Sequence, residues 1–151
     1  MDKDKARTAA VKEENEKKKE YLKSYLRHVR RIHRINEEIR EIRSMRASIS
    51  LNNDGMPHGS GQEDLSGYAA DLDAMERDHR IRTYQDIAAR IKRLSSENEK
   101  DVLFYRYIKG LDWWEIAEKM RYSERQVHRF NGKALAHIRL PENLKDVIEC
   151  Q

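Results

Sequence analysis

Cysteine occurs once in the 151 residues, as Cys150, so no intramolecular disulfide can close within the chain. The disulfide framework on which small secreted domains depend is thereby excluded, and a reducing, intracellular setting is expected. Proline occurs only twice and glycine six times, which leaves long stretches with no helix breaker. No run approaches the ~20 apolar residues that cross a bilayer. Met1-Asp2-Lys3-Asp4-Lys5 leads into further charge, not into the apolar core of a signal peptide. The expectation is a protein neither exported nor membrane-spanning. No pair among the six histidines has the spacing of a zinc site with its other ligands nearby, and no carboxylate accompanies a nucleophile or a glycine-rich phosphate loop. No metal, no cofactor and no enzymatic activity are therefore expected.

What the chain has in abundance is charge. Charged residues make up 38% of it and hydrophobic residues no more than 38%, so only part of it can support a packed core. The length suits a small domain with an elongated appendage. Stretches rich in Glu, Lys, Arg, Leu and Ile, with no convincing strand, predict an all-α fold. From about residue 17 to 49 the apolar positions Leu22, Tyr25, Leu26, Val29, Ile32, Ile35, Ile39, Ile42, Met45 and Ile49 recur every three or four residues. This is a helical stripe close to a heptad seam, broken at the step from Ile32 to Ile35. Residues before Lys17 are polar and are expected to fray. The segment 50–63 holds three of the six glycines and one of the two prolines and reads as a loop. A second stripe follows in Leu65, Tyr68, Leu72, Met75, His79, Tyr84, Ile87, Ile91 and Leu94. Two such helices hide their stripes against each other, as an antiparallel coiled-coil-like hairpin, or against a second subunit, and periodicity does not choose between them. Region 1–95 is thus expected to be a helical hairpin and oligomerisation region, and the chain a homo-oligomer.

Region 96–151 reads differently. Ser96-Glu97-Asn98-Glu99 has the form of a capping box. Three short helices are expected, at about 97–109, 113–120 and 124–138. Gly110 is suited to ending the first in the left-handed conformation, Asp112 to capping the second, and Ser123 with Gln126 to opening the third as another capping box. Val102, Leu103, Tyr107, Leu111, Ile116, Ala117, Met120, Val127, Phe130 and Leu135 supply an inward side, with Ala117 small where two helices cross. This is the packing logic of a helix-turn-helix. Charge divides sharply within the module: residues 97–118 carry three basic and six acidic side chains, and residues 119–139 carry six basic and one acidic. A basic face results on a neutral module.

Residues 100–120, KDVLFYRYIKGLDWWEIAEKM, together with Tyr122-Ser-Glu-Arg-Gln-Val-His-Arg129 and Lys133-Ala-Leu135, resemble sigma-factor region 4. Taken with the helical N-terminal part and the loop Asn52-Asn-Asp-Gly-Met-Pro-His-Gly-Ser-Gly61, the whole chain is similar to phage-encoded transcriptional regulators of the ArpU and RinA type. That resemblance implies regulation of phage genes, often late ones, at promoter DNA in the cytoplasm of a bacterial host, with host RNA polymerase as a further partner. One departure stands out: the position after Met120, usually glycine in such turns, is Arg121. Either the turn is strained there or it takes another shape.

If the third helix enters the major groove of double-stranded DNA, its outward residues are Glu124, Arg125, Gln126, His128, Arg129 and Lys133. Arg125 and Arg129, one turn apart, have the fork that reads guanine, Gln126 the amide that reads adenine, and His128 reaches an edge or a phosphate. Ser123, Lys119, Arg121 and Lys133 are expected on the DNA backbone. One of Trp113 and Trp114 is expected in the core and the other on the surface. Two rival functions share these features: a small terminase-like DNA-packaging recognition subunit, and a helical protein-interaction adaptor with no DNA role.

Overall fold

The computed structural model describes residues 2–52 and 63–142. Five α-helices appear among them and no strand, as the composition predicts: α1 (Asp2–Asn52), α2 (Glu63–Lys92), α3 (Glu97–Leu103), α4 (Trp113–Met120) and α5 (Glu124–His137). A π-helical turn, Phe104–Ile108, continues α3. No helix among the described residues is long and apolar enough to cross a membrane. Within the expected loop 50–63, residues 50–52 belong to α1 and Glu63 opens α2, while 53–62 lie outside the described residues. Cys150 and the rest of 143–151 lie outside them too.

α1 starts at Asp2, so the polar segment before Lys17 is helical and not frayed. No proline or glycine interrupts it before residue 55. Glu13 and Glu14 each reach forward four residues, to Lys17 at 2.7 Å and to Lys18 at 2.8 Å. Glutamate N-terminal to lysine is the orientation that favours a helix, each exposed pair adding only ~0.2–0.5 kcal/mol.

The chain forms two compact units, residues 1–26 with 83–151, and residues 27–82. They do not divide at Ser95–Ser96. In the first unit one core joins Tyr21 and Leu22 of α1 and Ile87, Ile91 and Leu94 of α2 to Val102, Leu103, Ile116, Val127, Ala134 and Leu135. Fewer than sixty residues bury too little apolar surface to be comfortably stable. Helical segments from α1 and α2 enlarge the core of the C-terminal helices. Here the two long helices run antiparallel, Tyr21 meeting Asp86 and the ring of Tyr25 lying tilted against that of Tyr84, centroids 5.5 Å apart. In the second unit the same sense is kept: Arg31 bonds Glu76 at 2.9 Å, and His28 lies 5.9 Å from His79. Intrachain pairing of the two long helices is seen in each unit. It already buries Ile32 and Ile35, each 4% exposed.

Tyr21, 1% exposed, is the polar centre of the first core. Its hydroxyl donates to the Asp86 carboxylate, and Arg90 Nε donates to both, at 3.1 Å each. Burial and the neighbouring Asp86 push the phenol far up, so it stays protonated. Partial burial works against ionisation of Asp86, but hydrogen bonds from Arg90 and Tyr21 outweigh it and hold that carboxyl below its ordinary value. A carboxyl depressed in the folded state contributes stability that is fully present above its unfolded pKa of ~3.9 and is lost as pH falls through the lower folded value. Asp86→Asn should accordingly flatten the loss of thermal stability between neutral pH and about pH 3. An unchanged pH profile, followed by circular dichroism, would remove Asp86 from the acid response.

Candidate nucleic-acid interface

The inner face of the C-terminal module follows from an unusual spacing. Val102 with Leu103 and Tyr107 with Ile108 are two apolar pairs five residues apart, and all four are buried. A regular α-helix repeats after three or four residues and would swing the second pair away from the first. The π turn restores alignment, its closing bond running from Lys109 N to Phe104 O at 3.0 Å. The expected single helix over 97–109 is therefore α-helical only to Leu103. Its end is as expected: Gly110 has φ 71°. Arg106, unassigned from sequence, donates to the Leu111 carbonyl at 2.7 Å and so pins the turn that leads into α4.

α4 opens at Asp112, whose N–H donates to the Glu115 carboxylate at 2.8 Å. α5 opens at Ser123, whose hydroxyl oxygen accepts from Gln126 N–H at 3.3 Å. Only the serine half of that expected box forms, which leaves the Gln126 side chain without a hydrogen bond among the described residues. The box expected at Ser96 and Glu99 does not form. Ser96 is the N-cap without a side-chain bond, and Glu99, buried, turns to His137 Nδ1 at 2.8 Å. A buried carboxylate is far more costly to leave unpaired than an exposed helix N-terminus is to leave uncapped.

Between α4 and α5 the turn keeps the left-handed residue that glycine usually supplies: Arg121 has φ 57° and ψ 41°. Tyr122 N–H donates to Ala117 O at 3.1 Å and Arg121 N–H to Glu118 O at 3.3 Å, the paired bonds of a Schellman motif. Tyr122 then leans edge-on against Phe130, ring centroids 5.1 Å apart, which ties the turn to α5. The first alternative posed by Arg121 is thus the one realised, a strained residue in an ordinary turn. The left-handed conformation costs an L-residue roughly 1–2 kcal/mol, of which glycine's larger unfolded freedom returns ~0.4–1. Arg121→Gly should therefore raise stability by about 0.5–1 kcal/mol, seen as a higher melting temperature. A lower one would mean that the guanidinium contributes more than the strain costs.

α4 and α5 pack through Ile116, Ala117 and Val127, all buried. With that face committed, Lys119, Arg121, Ser123, Glu124, Arg125, His128, Arg129 and Lys133 are exposed and Gln126 is half-buried. Lys119, Arg121, Arg125, Arg129 and Lys133 make no ion pair among the described residues. Many cations elsewhere are held by carboxylates, including Lys17, Lys18, Arg31, Arg77, Arg90 and Lys100. Arg125 and Arg129 lie one turn apart on α5, as their spacing requires. His128 is less available than its outward position suggests, because its ring sits 4.3 Å from that of Trp113. Trp113 also has the Arg106 guanidinium 4.6 Å from its ring and packs against the core, whereas Trp114 is 58% exposed. That assigns the two tryptophans.

Sequence reasoning passed over Asn131, which is buried on α5 beside Tyr107. Burial raises the Tyr107 phenol, and the charge of Arg106 and then a hydrogen bond from Asn131 oppose that rise in part. A polar residue at a core position opposite a buried tyrosine is the one signal that marks this pair. Among the described residues no three His, Cys, Asp or Glu side chains converge as ligands of a metal ion would. Comparison of the chain with protein-family models, with curated proteins and with solved structures gives no match.

Proposed function

We propose that the chain is a sequence-specific DNA-binding protein that acts through α5, and that it regulates transcription of phage or prophage genes. The observation that carries DNA binding is the set of five exposed cations, Lys119, Arg121, Arg125, Arg129 and Lys133, carried by two helices and the tight turn between them and left without carboxylate partners among the described residues. Unpaired cations on such a surface meet phosphates with little desolvation of competing pairs, while the two arginines on α5 face base edges. Regulation of phage genes rests on the resemblance of residues 100–135 to sigma-factor region 4, and the exposed Trp114 is the surface offered to host polymerase.

Binding of the full chain to genomic fragments at rising salt tests the first part. A linear fall of log affinity with log salt is expected, and a selected site should be held tighter than a scrambled one. A reporter driven from a bound phage promoter tests the second. Altered transcription supports a regulator, whereas binding near a packaging start with no effect on transcription would turn the assignment to a packaging subunit. No DNA binding at any salt would leave the adaptor reading.

Self-association belongs to the same proposal. Intrachain pairing leaves Met45, Met75 and Ile81 exposed at separate points along the second unit, apolar side chains that a second copy would cover. Sedimentation at increasing concentration should show a dimer or larger, and Met45→Lys with Ile81→Lys should return it to monomer. A single monomeric species for the wild type at high concentration would overturn this.

A further inference from the structure

At the far end of α5 the surface opens into a cleft of about 340 Å³ lined by Arg90, Arg93, Leu94, His137, Ile138 and Arg139. Four of these six residues are basic. How their charges are engaged matters more than their number. Arg90 is held by Asp86 and Tyr21 and donates through Nη1 to the Arg139 carbonyl at 3.0 Å. His137 is held through Nδ1 by Glu99. Arg93 and Arg139 are exposed and make no ion pair or side-chain hydrogen bond among the described residues, though Arg93 adds to the field that keeps Asp86 ionised. The cleft thus has two anchored basic groups in its wall and two uncommitted guanidinium groups at its edge. The bond from Arg90 to the Arg139 carbonyl fixes the backbone that carries the second of these. It forms because the chain leaves α5 in an extended conformation at Ile138, φ −68° and ψ 140°.

The position of the cleft indicates its occupant. Arg125, Arg129, Lys133 and His137 follow one another at intervals of four along α5, so that each is the helical neighbour of the next. The basic stripe leads from the residues assigned to base edges directly to the cleft. Twelve residues separate Arg125 from His137 in the sequence, a rise of about 18 Å at ~1.5 Å per residue. The major groove is about 12 Å wide. A helix that crosses the groove with Arg125 at the base edges carries its far end past the groove to the sugar-phosphate strand that borders it.

We infer that the cleft between the end of α2 and the end of α5 seats a backbone phosphate of the bound duplex, with Arg93 and Arg139 as its ligands. The inference rests on the DNA-binding reading above and adds a second phosphate site to it, at a place that the helix-turn-helix pattern does not mark. Arg93 stands before Ser96 and Arg139 after α5, so the site joins segments on both sides of the module.

Arg93→Gln, Arg139→Gln and the double variant, made in the full chain, test it by fluorescence anisotropy on a mixed-sequence duplex and on a selected site across a range of salt. Arg93→Lys is the charge-preserving control, and circular dichroism checks the fold. Each Gln variant should weaken both duplexes alike and lower the slope of log affinity against log salt by about 0.9, and the double variant by about twice that. Arg93→Lys should retain the wild-type slope. Wild-type slopes in the folded double variant, with Lys133→Ala lowering the slope in the same assay, would overturn the cleft and leave the α5 reading intact. Absence of any DNA binding by the wild type would overturn that reading and this site with it. Pyrophosphate at matched ionic strength separates the sources of phosphate. If it raises the melting temperature of a wild type that binds no DNA, and not that of the double variant, the cleft is a site for a small free anion and the assignment to a DNA strand fails.

Discussion

Leu103→Ala should destabilise the first unit by about 2–5 kcal/mol, the usual cost of emptying a leucine site in a core that cannot fully collapse. Leu103 is 0% exposed and belongs to the same buried cluster as Tyr21 and Leu22 of α1, Ile87 of α2, Ile116 of α4 and Val127 of α5. Its loss is therefore felt by every helix that supports α5. For a chain of this size the melting temperature should fall by roughly 5–20 °C. DNA affinity measured well below the new midpoint should change little, because no atom of Leu103 reaches the basic face. Affinity should then collapse on warming at a temperature that the wild type survives. Val11→Ala is the comparison: that side chain is 52% exposed, and its removal should stay within about 0.5 kcal/mol. Melting curves by circular dichroism, paired with binding at two temperatures, check both. A Leu103→Ala protein that melts with the wild type would mean that this cluster is not the cooperative core of the unit.

Arg125→Ala or Arg129→Ala should cost about 1–3 kcal/mol at the preferred DNA site and far less on scrambled DNA, because a guanidinium on guanine discriminates sequence while a contact to phosphate does not. Lys133→Ala, two turns beyond Arg125, should weaken both DNAs alike and lower the salt slope by about one. Glu97→Ala is the control. Glu97 lies at the start of α3 and holds only Lys100, at 2.6 Å on the surface, a pair worth little to stability. Titrations at several salt concentrations on a selected and a scrambled duplex separate the cases. Equal losses on both DNAs for the two arginines would show that α5 only positions the protein and that sequence is read elsewhere.

The residues of the candidate interface were visible in the sequence because each depends on local chemistry. Ser123 opens α5, Asp112 opens α4 and Gly110 closes the segment before it, each through backbone groups within a few residues. Once Val127, Ala134 and Leu135 are placed inside, helical periodicity alone leaves Arg125, Arg129 and Lys133 outside. Arg121 belongs here as well. The demand of the turn for a left-handed residue was legible, and the chain meets it without glycine.

The errors have a common cause, competition from a partner distant in sequence. Ser96-x-x-Glu99 reads as a capping box, but the nearest use for Glu99 in space is His137, thirty-eight positions away. His128 stands outward as the helical wheel places it, and what the wheel does not show is Trp113 of α4 beside its ring. The π turn arises because two apolar pairs at a spacing of five must face the same core, a demand set by packing and not by the preference of any residue in Phe104–Ile108.

Taken alone, the sequence determined that the chain is helical, where α4 and α5 begin, and which side chains of the C-terminal module form the basic face. These properties follow from propensity, periodicity and caps, all of them interactions within a turn or two of helix. Only the tertiary structure decided that the core of that module extends to Tyr21 and Leu22 of α1 and to Ile87 and Ile91 of α2, that Trp113 is the inner tryptophan and Trp114 the outer, and that Arg93 and Arg139 border one cleft. Each of these pairs residues far apart in the chain. An amphipathic stripe states that a face must be buried, but what buries it depends on which other faces the folded chain brings within contact.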